Sequence, residues 1–211
     1  MKSPFVFRSL LAALAVVAGI GISSVQAQDA KAEKLVDLKE PTIQAQSTPD
    51  IKAAYVKEKR WKPKDWLEFE IPFIASAPRG APAGFNTFDL LTFKYYLFLD
   101  NPDKKKQRIL TAEINHVNVP IGEGMASVVY LSPSAVHRLT GNTRVITSAV
   151  TLWAVEVTRE GKTVGFLSKD NKKWWESPNA PPTEPGVLKN KMETPFAPLW
   201  GDYHAEVQSS K

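Results

Sequence analysis

Apolar and polar side chains alternate most strictly in "DWLEFEIPFIAS", residues 65–76. Leu67, Phe69, Ile71 and Phe73 share one side, and Trp66, Glu68, Glu70 and Pro72 share the other. A period of two predicts a strand with one buried face. Pro72 has no N–H for a ladder, so this strand is expected at a sheet edge or at a bulge. "FDLLTFKYYLFLD" follows after the loop "APRGAPAGFN". Leu91, Phe93, Tyr95, Leu97 and Leu99 line one face, and Leu90, Thr92, Lys94, Tyr96 and Phe98 the other. Both are largely apolar, as in a central strand covered on both sides.

Downstream, "NPDKKKQ" turns the chain and "RILTAEINHVNVP" returns as a third strand. Lys104, Lys105, Lys106 and Arg108 mark a hairpin tip, where lysines keep sheet edges from pairing with strangers. "MASVVYLS" is a fourth strand. In "SPSAVHRLTG", Ser132 suits a helix N-cap, Pro133 the first helical position and Gly141 the C-terminal stop. A long strand, "RVITSAVTLWAVEVT", turns at "REGK" into "TVGFLS", with Gly161 free to take positive φ. "KDN" then leads to "KKWWES", read as a last strand. Leu199, Tyr203 and Val207 in "LWGDYHAEV" recur at helical spacing and predict a short C-terminal helix. Strands at close spacing with hairpin signals between them predict a mainly all-β fold, an antiparallel sandwich or barrel with one or two short helices.

The ends of the chain set its organisation. Lys2 and Arg8 precede an uncharged stretch, Leu10 to Ile22, and Val25-Gln26-Ala27 offers a cleavage point. This is the layout of a secretory signal peptide, residues 1–27. The apolar stretch would span about 20 Å as a helix, short of the bilayer core. Residues 28–63 read as an extended polar lead-in, within which "PTIQAQS" suits a short edge strand. A helix from Pro49 and Asp50 would be bounded by Pro63. The sandwich is expected over 64–211, with a Pro-rich C-terminal strap at 177–198 onto which Phe196, Leu199 and Trp200 can dock. No later segment is apolar for long enough to cross a membrane. Cysteine is absent, so packing alone must hold an exported fold.

Charge and motifs offer little chemistry. The formal net charge is +5, lowered further by loss of Lys2 and Arg8, too small an excess to argue for nucleic acid. His116, His137 and His204 have no Cys, Asp or Glu at ligand spacing, and solvated or hydrogen-bonded imidazoles are expected. Ser132 and Ser134 lie near His137, but no nucleophile elbow surrounds them. Glu68 and Glu70 point the same way, as in a glycosidase pair, yet solvent-facing acids on a strand give the same pattern. No catalytic residue, cofactor-binding motif or metal-ligand set is assigned. What remains is aromatic. Trp174 and Trp175, with Tyr96, are the candidate interface or ligand residues. Neighbours on a strand face opposite ways, so one indole should enter the core and the other be covered by the strap, a partner or a ligand.

The segments "KRWKPKDWLEFEIPF", "LTFKYYLFLD", "ILTAEINHVNVP", "VVYLSPSAVHRL" and "TPFAPLWGDYHAEV" resemble a verrucomicrobial pilus-associated family encoded with a type IV pilus-like cluster in mucus-dwelling bacteria. The resemblance covers nearly all of the chain after Ala27. It implies an immunoglobulin-like β-sandwich, related in shape to archaeal pilus and archaellum periplasmic proteins, with a role in assembling or anchoring the filament. It offers no catalytic residues. Partners would be pilus or envelope proteins, with self-association also in play. The location would be the periplasm, the outer membrane face or the cell surface. A carbohydrate-binding module for mucus glycans is the alternative, and a small hydrolase using Glu68 and Glu70 a third reading. Unlike a pilin, which keeps an apolar N-terminal helix, the processed chain would begin "QDAKAEK", too polar for a filament core. Amino-terminal sequencing of the native protein should therefore start at Gln28; a start at Met1, or an apolar start upstream of Ala27, would refute cleavage there.

Overall fold

In a computed structural model, residues 33–50 and 60–209 are described. The predicted signal peptide, and residues 51–59 of the helix predicted from Pro49 and Asp50, lie outside them. The strands in chain order are β1 (Val36–Leu38), β2 (Thr42–Ser47), β3 (Asp65–Ala75), β4 (Thr87–Leu99), β5 (Ile109–Pro120), β6 (Gly124–Leu131), β7 (Val150–Arg159), β8 (Lys162–Ser168), β9 (Thr183–Pro185) and β10 (Lys189–Asn190). One α-helix, α1 (Pro133–Thr140), links β6 to the segment before β7. The strands form two sheets, as expected for an all-β sandwich. One sheet runs β1-β3-β6-β10, with β2 also on β3, and the other runs β8-β7-β4-β5-β9.

Alternation in sequence becomes the interior. Leu67, Phe69, Ile71 and Phe73 of β3 meet Leu91, Phe93, Tyr95 and Leu97 of β4, all at most 1% exposed. Phe69 packs edge-on to Tyr95 with ring centroids 6.0 Å apart, and Phe73 lies 4.9 Å from Phe93. As predicted, β4 is central, between β5 and β7. The helix signals also hold. The Ser132 hydroxyl accepts from Ala135 N, Pro133 opens α1, and Gly141 closes it at φ 74°. At the β7–β8 turn Glu160 and Gly161 both take positive φ, 50° and 76°, the twist that a two-residue hairpin turn requires.

Four expectations are corrected. The sandwich starts before residue 64: Leu35, Val36 and Leu38 are core residues, and β1 and β2 both pair with β3. With β6 on its other side, β3 is internal. Pro72 is tolerated because its neighbour is broken there. Lys39 N donates to Pro72 O at 2.9 Å, so the missing N–H points at the gap between β1 and β2, where nothing needs it. Strand β7 begins only at Val150, since Thr147–Ala149 close a 3₁₀ turn. The C-terminal helix is absent. Its residues run as turns and single bridges, Ala126 to His204 and His116 to Val207, because open edges of β6 and β5 offer them backbone partners.

The Pro-rich strap crosses from one sheet to the other. β9 pairs parallel with β5, and β10 pairs antiparallel with β6. Between them Gly186 turns at φ 78°, and Leu188 is buried in the main core. Beyond β10, Phe196 is fully buried over Val128 and Tyr130 on the outer face of the first sheet, with Trp66 and Leu199 around it. On the opposite flank, Leu35 N donates to Val164 O at 2.8 Å, fastening β1 to β8. That approach is close: a Cβ at Gly165 would stand 2.9 Å from Val36 O and 3.0 Å from Val36 Cβ. Gly165→Ala should therefore cost about 1–3 kcal/mol, read as a fall in denaturation midpoint. Gly124→Ala, which meets nothing within 4 Å, should cost less; equal midpoints for the two variants would remove the packing argument.

Candidate functional site

The double tryptophan is not a strand. β8 ends at Ser168, whose hydroxyl both accepts from Lys172 N and donates to Lys172 O, each at 3.0 Å. Asn171, at φ 57°, completes the reversal, and Trp174–Glu176 then form a single 3₁₀ turn. Backbone curvature places both indoles on the outer face of the second sheet, so neither enters the core and both are half-buried. Trp175 stacks on Tyr96 with centroids 4.1 Å apart and planes 14° off parallel. Phe166 flanks it at 6.0 Å. Trp174 stands at 87° to Trp175. The three candidate residues are thus brought together, and the covering is mainly intrachain.

Charged groups frame the stack. Lys173 Nζ lies 3.0 Å from Glu156 Oε1, which also accepts from Thr163 Oγ1 at 2.7 Å. Burial alone would raise the Glu156 carboxyl, but the Thr163 hydroxyl and Lys173 ammonium outweigh it and hold it below the ordinary value. Burial, with Glu156 and Glu113 nearby, pushes the Tyr96 phenol up. Beside the stack runs a groove of about 500 Å³ lined by Phe98, Leu152, Trp174, Ala180 and Pro181. Trp174 Nε1 is buried without a hydrogen-bond partner. The groove can hold an apolar or planar group. The perpendicular indoles do not form the coplanar row that stacking along a glycan needs.

The paired acids lie elsewhere, and they do not face solvent. Phe196 of the strap packs on the same face, and the tail beyond it meets Glu70. Glu68 is 1% exposed and accepts from Gln44 Nε2 at 2.6 Å. Its second oxygen, and the hydroxyl of Tyr130 cross-strand from it, are buried without partners. Glu70 Oε2 meets His204 Nε2 at 2.9 Å, and Glu70 Oε1 accepts from Tyr203 Oη at 2.9 Å. The His204 hydrogen bond, helped by Tyr203 against the cost of burial, holds the Glu70 carboxyl below its usual range. This pair anchors the C-terminal segment. His204 as the partner of Glu70 was not legible in the sequence, which separates them by most of the chain.

Between the sheets lies a serine–histidine contact that sequence reading also missed. Tyr95 Oη donates to Ser127 Oγ, and Ser127 Oγ donates to His116 Nε2. That direction follows from the other ring nitrogen. His116 Nδ1 faces only carbonyl oxygens, Ala205 O at 3.1 Å and Glu206 O at 3.2 Å, so Nδ1 carries the proton and Nε2 must accept. Ser127 and Tyr95 are fully buried and His116 nearly so, with Phe93 edge-on to the imidazole. No substrate can reach this serine. The hydrogen-bonded imidazole expected for His116 is found. His137, by contrast, is exposed on α1. Among the described residues no cluster of three or more His, Cys, Asp or Glu is placed to hold a metal ion.

A family model matches residues 27–211. A crystal structure of a protein from Akkermansia muciniphila is similar, with 34% sequence identity and a TM-score of 0.72 over 84% of this chain and 94% of that one. A comparison with curated proteins found no match.

Burial holds the His116 imidazole down at about 4, against an ordinary 6.5, outweighing the two carbonyls. In this interval the unfolded chain binds a proton that the folded chain refuses, so stability rises with pH. It should fall from pH 6.5 to about 4 by roughly 3 kcal/mol, at about 1.4 kcal/mol per unit. The depressed Glu70 carboxyl adds a further loss once pH drops below its unfolded value of 4.5. Denaturant melts between pH 7 and 4 should show this slope in the parent and lose its upper part in His116→Asn; a parent curve flat above pH 4.5 would contradict the assignment.

Proposed function

The chain belongs to the family whose model matches residues 27–211, and from that membership we propose an exported, non-enzymatic protein-interaction domain. On this reading it is an immunoglobulin-like accessory component of a type IV pilus-like system at the cell envelope. One observation carries the non-enzymatic part. The groups that resemble catalytic pairs are occupied by hydrogen bonds: Glu68 is buried, Glu70 is held by Tyr203 and His204, and Ser127 and His116 lie between the sheets, while the open groove is lined by Phe98, Leu152 and Trp174. A surface with an apolar centre and a lysine rim suits a protein partner. Export is supported by a family match that begins at residue 27, beside the expected cleavage after Ala27. The envelope role is supported by the verrucomicrobial resemblance and by the similar protein of Akkermansia muciniphila.

The groove predicts where partners attach. Lys172 and Lys173 line the groove beside Trp174. Amine cross-linking of native envelopes, read by mass spectrometry, should join these lysines to identified filament or assembly proteins. Trp174→Ala should lower that yield several-fold without unfolding the chain. Cross-links only to copies of the chain, or none, would overturn the pilus role. Glycan-array binding lost in Trp174→Ala would transfer the groove to the carbohydrate reading.

A further inference from the structure

Sheet edges leave backbone N–H and C=O groups unpaired and invite another strand. Most edges here are occupied. β5 is covered by β9 at one end, and at the other by Glu206 and Gln208, which bond Val117 N and Asn115 O. β6 is covered by β10 and by Tyr203 and Ala205 around Ala126. Leu35 caps β8. The outer edge of β2 is different. Thr48 N donates to Lys64 O at 3.0 Å, so the even-numbered residues of this stretch turn their backbone groups toward β3. Ile43, Ala45 and Ser47 turn theirs outward, and among the described residues these find no backbone partner. The strand is uncharged and free of proline, and Thr42, Gln44, Ala45 and Ser47 are exposed. It carries no charge, proline or bulge of its own, although the turn Thr147–Ala149 lies near it.

The sequence of this edge names its occupant. "TIQAQST", residues 42–48, reads nearly the same in both directions about Ala45. We propose that β2 pairs antiparallel with β2 of a second copy of this chain, across a two-fold axis at Ala45, joining two sheets into one. The phase is right. Because Ala45 turns its backbone groups outward, a two-fold axis there makes 45–45 a hydrogen-bonded pair. Gln44 then lies opposite Gln46 of the second copy, Thr42 opposite Thr48 and Ile43 opposite Ser47. The outer face thus gains paired amides at the closely spaced 44–46 positions. Pairs at 43–47, 45–45 and 47–43 would exchange about six backbone hydrogen bonds. No like charges meet in this pairing, although the chain is net basic. The contact is isologous and closes on itself, so it stops at a dimer. It does not rest on the filament role, since the purified chain can dimerise or fail to whatever the envelope cross-links show.

Sedimentation of the chain purified after native processing should show a concentration-dependent dimer. Ala45→Pro removes only an outward N–H, and Ala45→Lys sets two cations on the axis. Both should weaken the dimer at least tenfold with an unchanged melting temperature. Because the chain has no cysteine, Ala45→Cys supplies a single thiol, about 5.5 Å Cα to Cα from its symmetry mate, within disulfide reach. Ser47→Cys would stand roughly 14 Å from its own mate. Mild oxidation should link the first covalently and not the second. A strictly monomeric chain at about 1 mM, or equal cross-linking by the two cysteines, would overturn the proposal, even if Ala45→Pro fails to fold.

Discussion

Every backbone N–H and C=O at the rim of a sheet must find a partner or water, and this constraint organises the molecule more than its core does. Two sheets of five strands present several open rims. The C-terminal third of the chain deals with two of them in one pass. β9 closes the rim of β5, the turn at Gly186 carries the chain across the gap, and β10 closes the rim of β6. The last residues then return to both strands through Ala126 and His116. A proline-rich strap suits this work, since prolines limit the conformations that the unfolded segment can lose. Leu188 and Phe196 supply the apolar burial that holds it down.

That strap also decides what the ionisable groups do. Its Phe196 packs on the outer face of β3 and β6, Glu68 becomes a buried hydrogen-bond acceptor, and Tyr203 and His204 of the tail bond Glu70. Lys191, just after β10, is also buried, and desolvation lowers the pKa of its ammonium. The chain from Tyr95 through Ser127 to His116 ends on carbonyls of the same C-terminal segment. Polar groups of this kind are costly if one partner leaves, so the tail, the strap and the inter-sheet network stand or fall together. An acid-sensitive core and a closed serine are two results of one covering.

The surfaces left open divide by sheet. The second sheet presents the Tyr96–Trp175 stack and the groove beside Trp174, and the first presents the unguarded rim of β2. They offer different kinds of contact, side-chain packing in one case and backbone pairing in the other. A protein that both joins a copy of itself and holds a different protein would use them at the same time.

Much of the fold was legible because its signals are local. The period of two across Leu67 to Phe73, the double apolar face of β4 and the caps Ser132 and Gly141 each depend on residues a few positions apart. The site was legible only in part. Trp174, Trp175 and Tyr96 stood out as bulky aromatics without an obvious role, but their stacking depends on a turn at Asn171 that brings sequence-distant elements together. Spacing misled at the C-terminus, where Leu199, Tyr203 and Val207 mimic a helix, because free rims on β5 and β6 bind that backbone more favourably than an isolated turn of helix can bind itself. The pairings of Glu70 with His204 and of Ser127 with His116 leave no mark in sequence at all, since contact across a sandwich has no fixed separation. The symmetry of "TIQAQST" was on the page from the start. Its meaning waited for the tertiary structure, because only pairing with β3 decides which residues of β2 turn their hydrogen bonds outward.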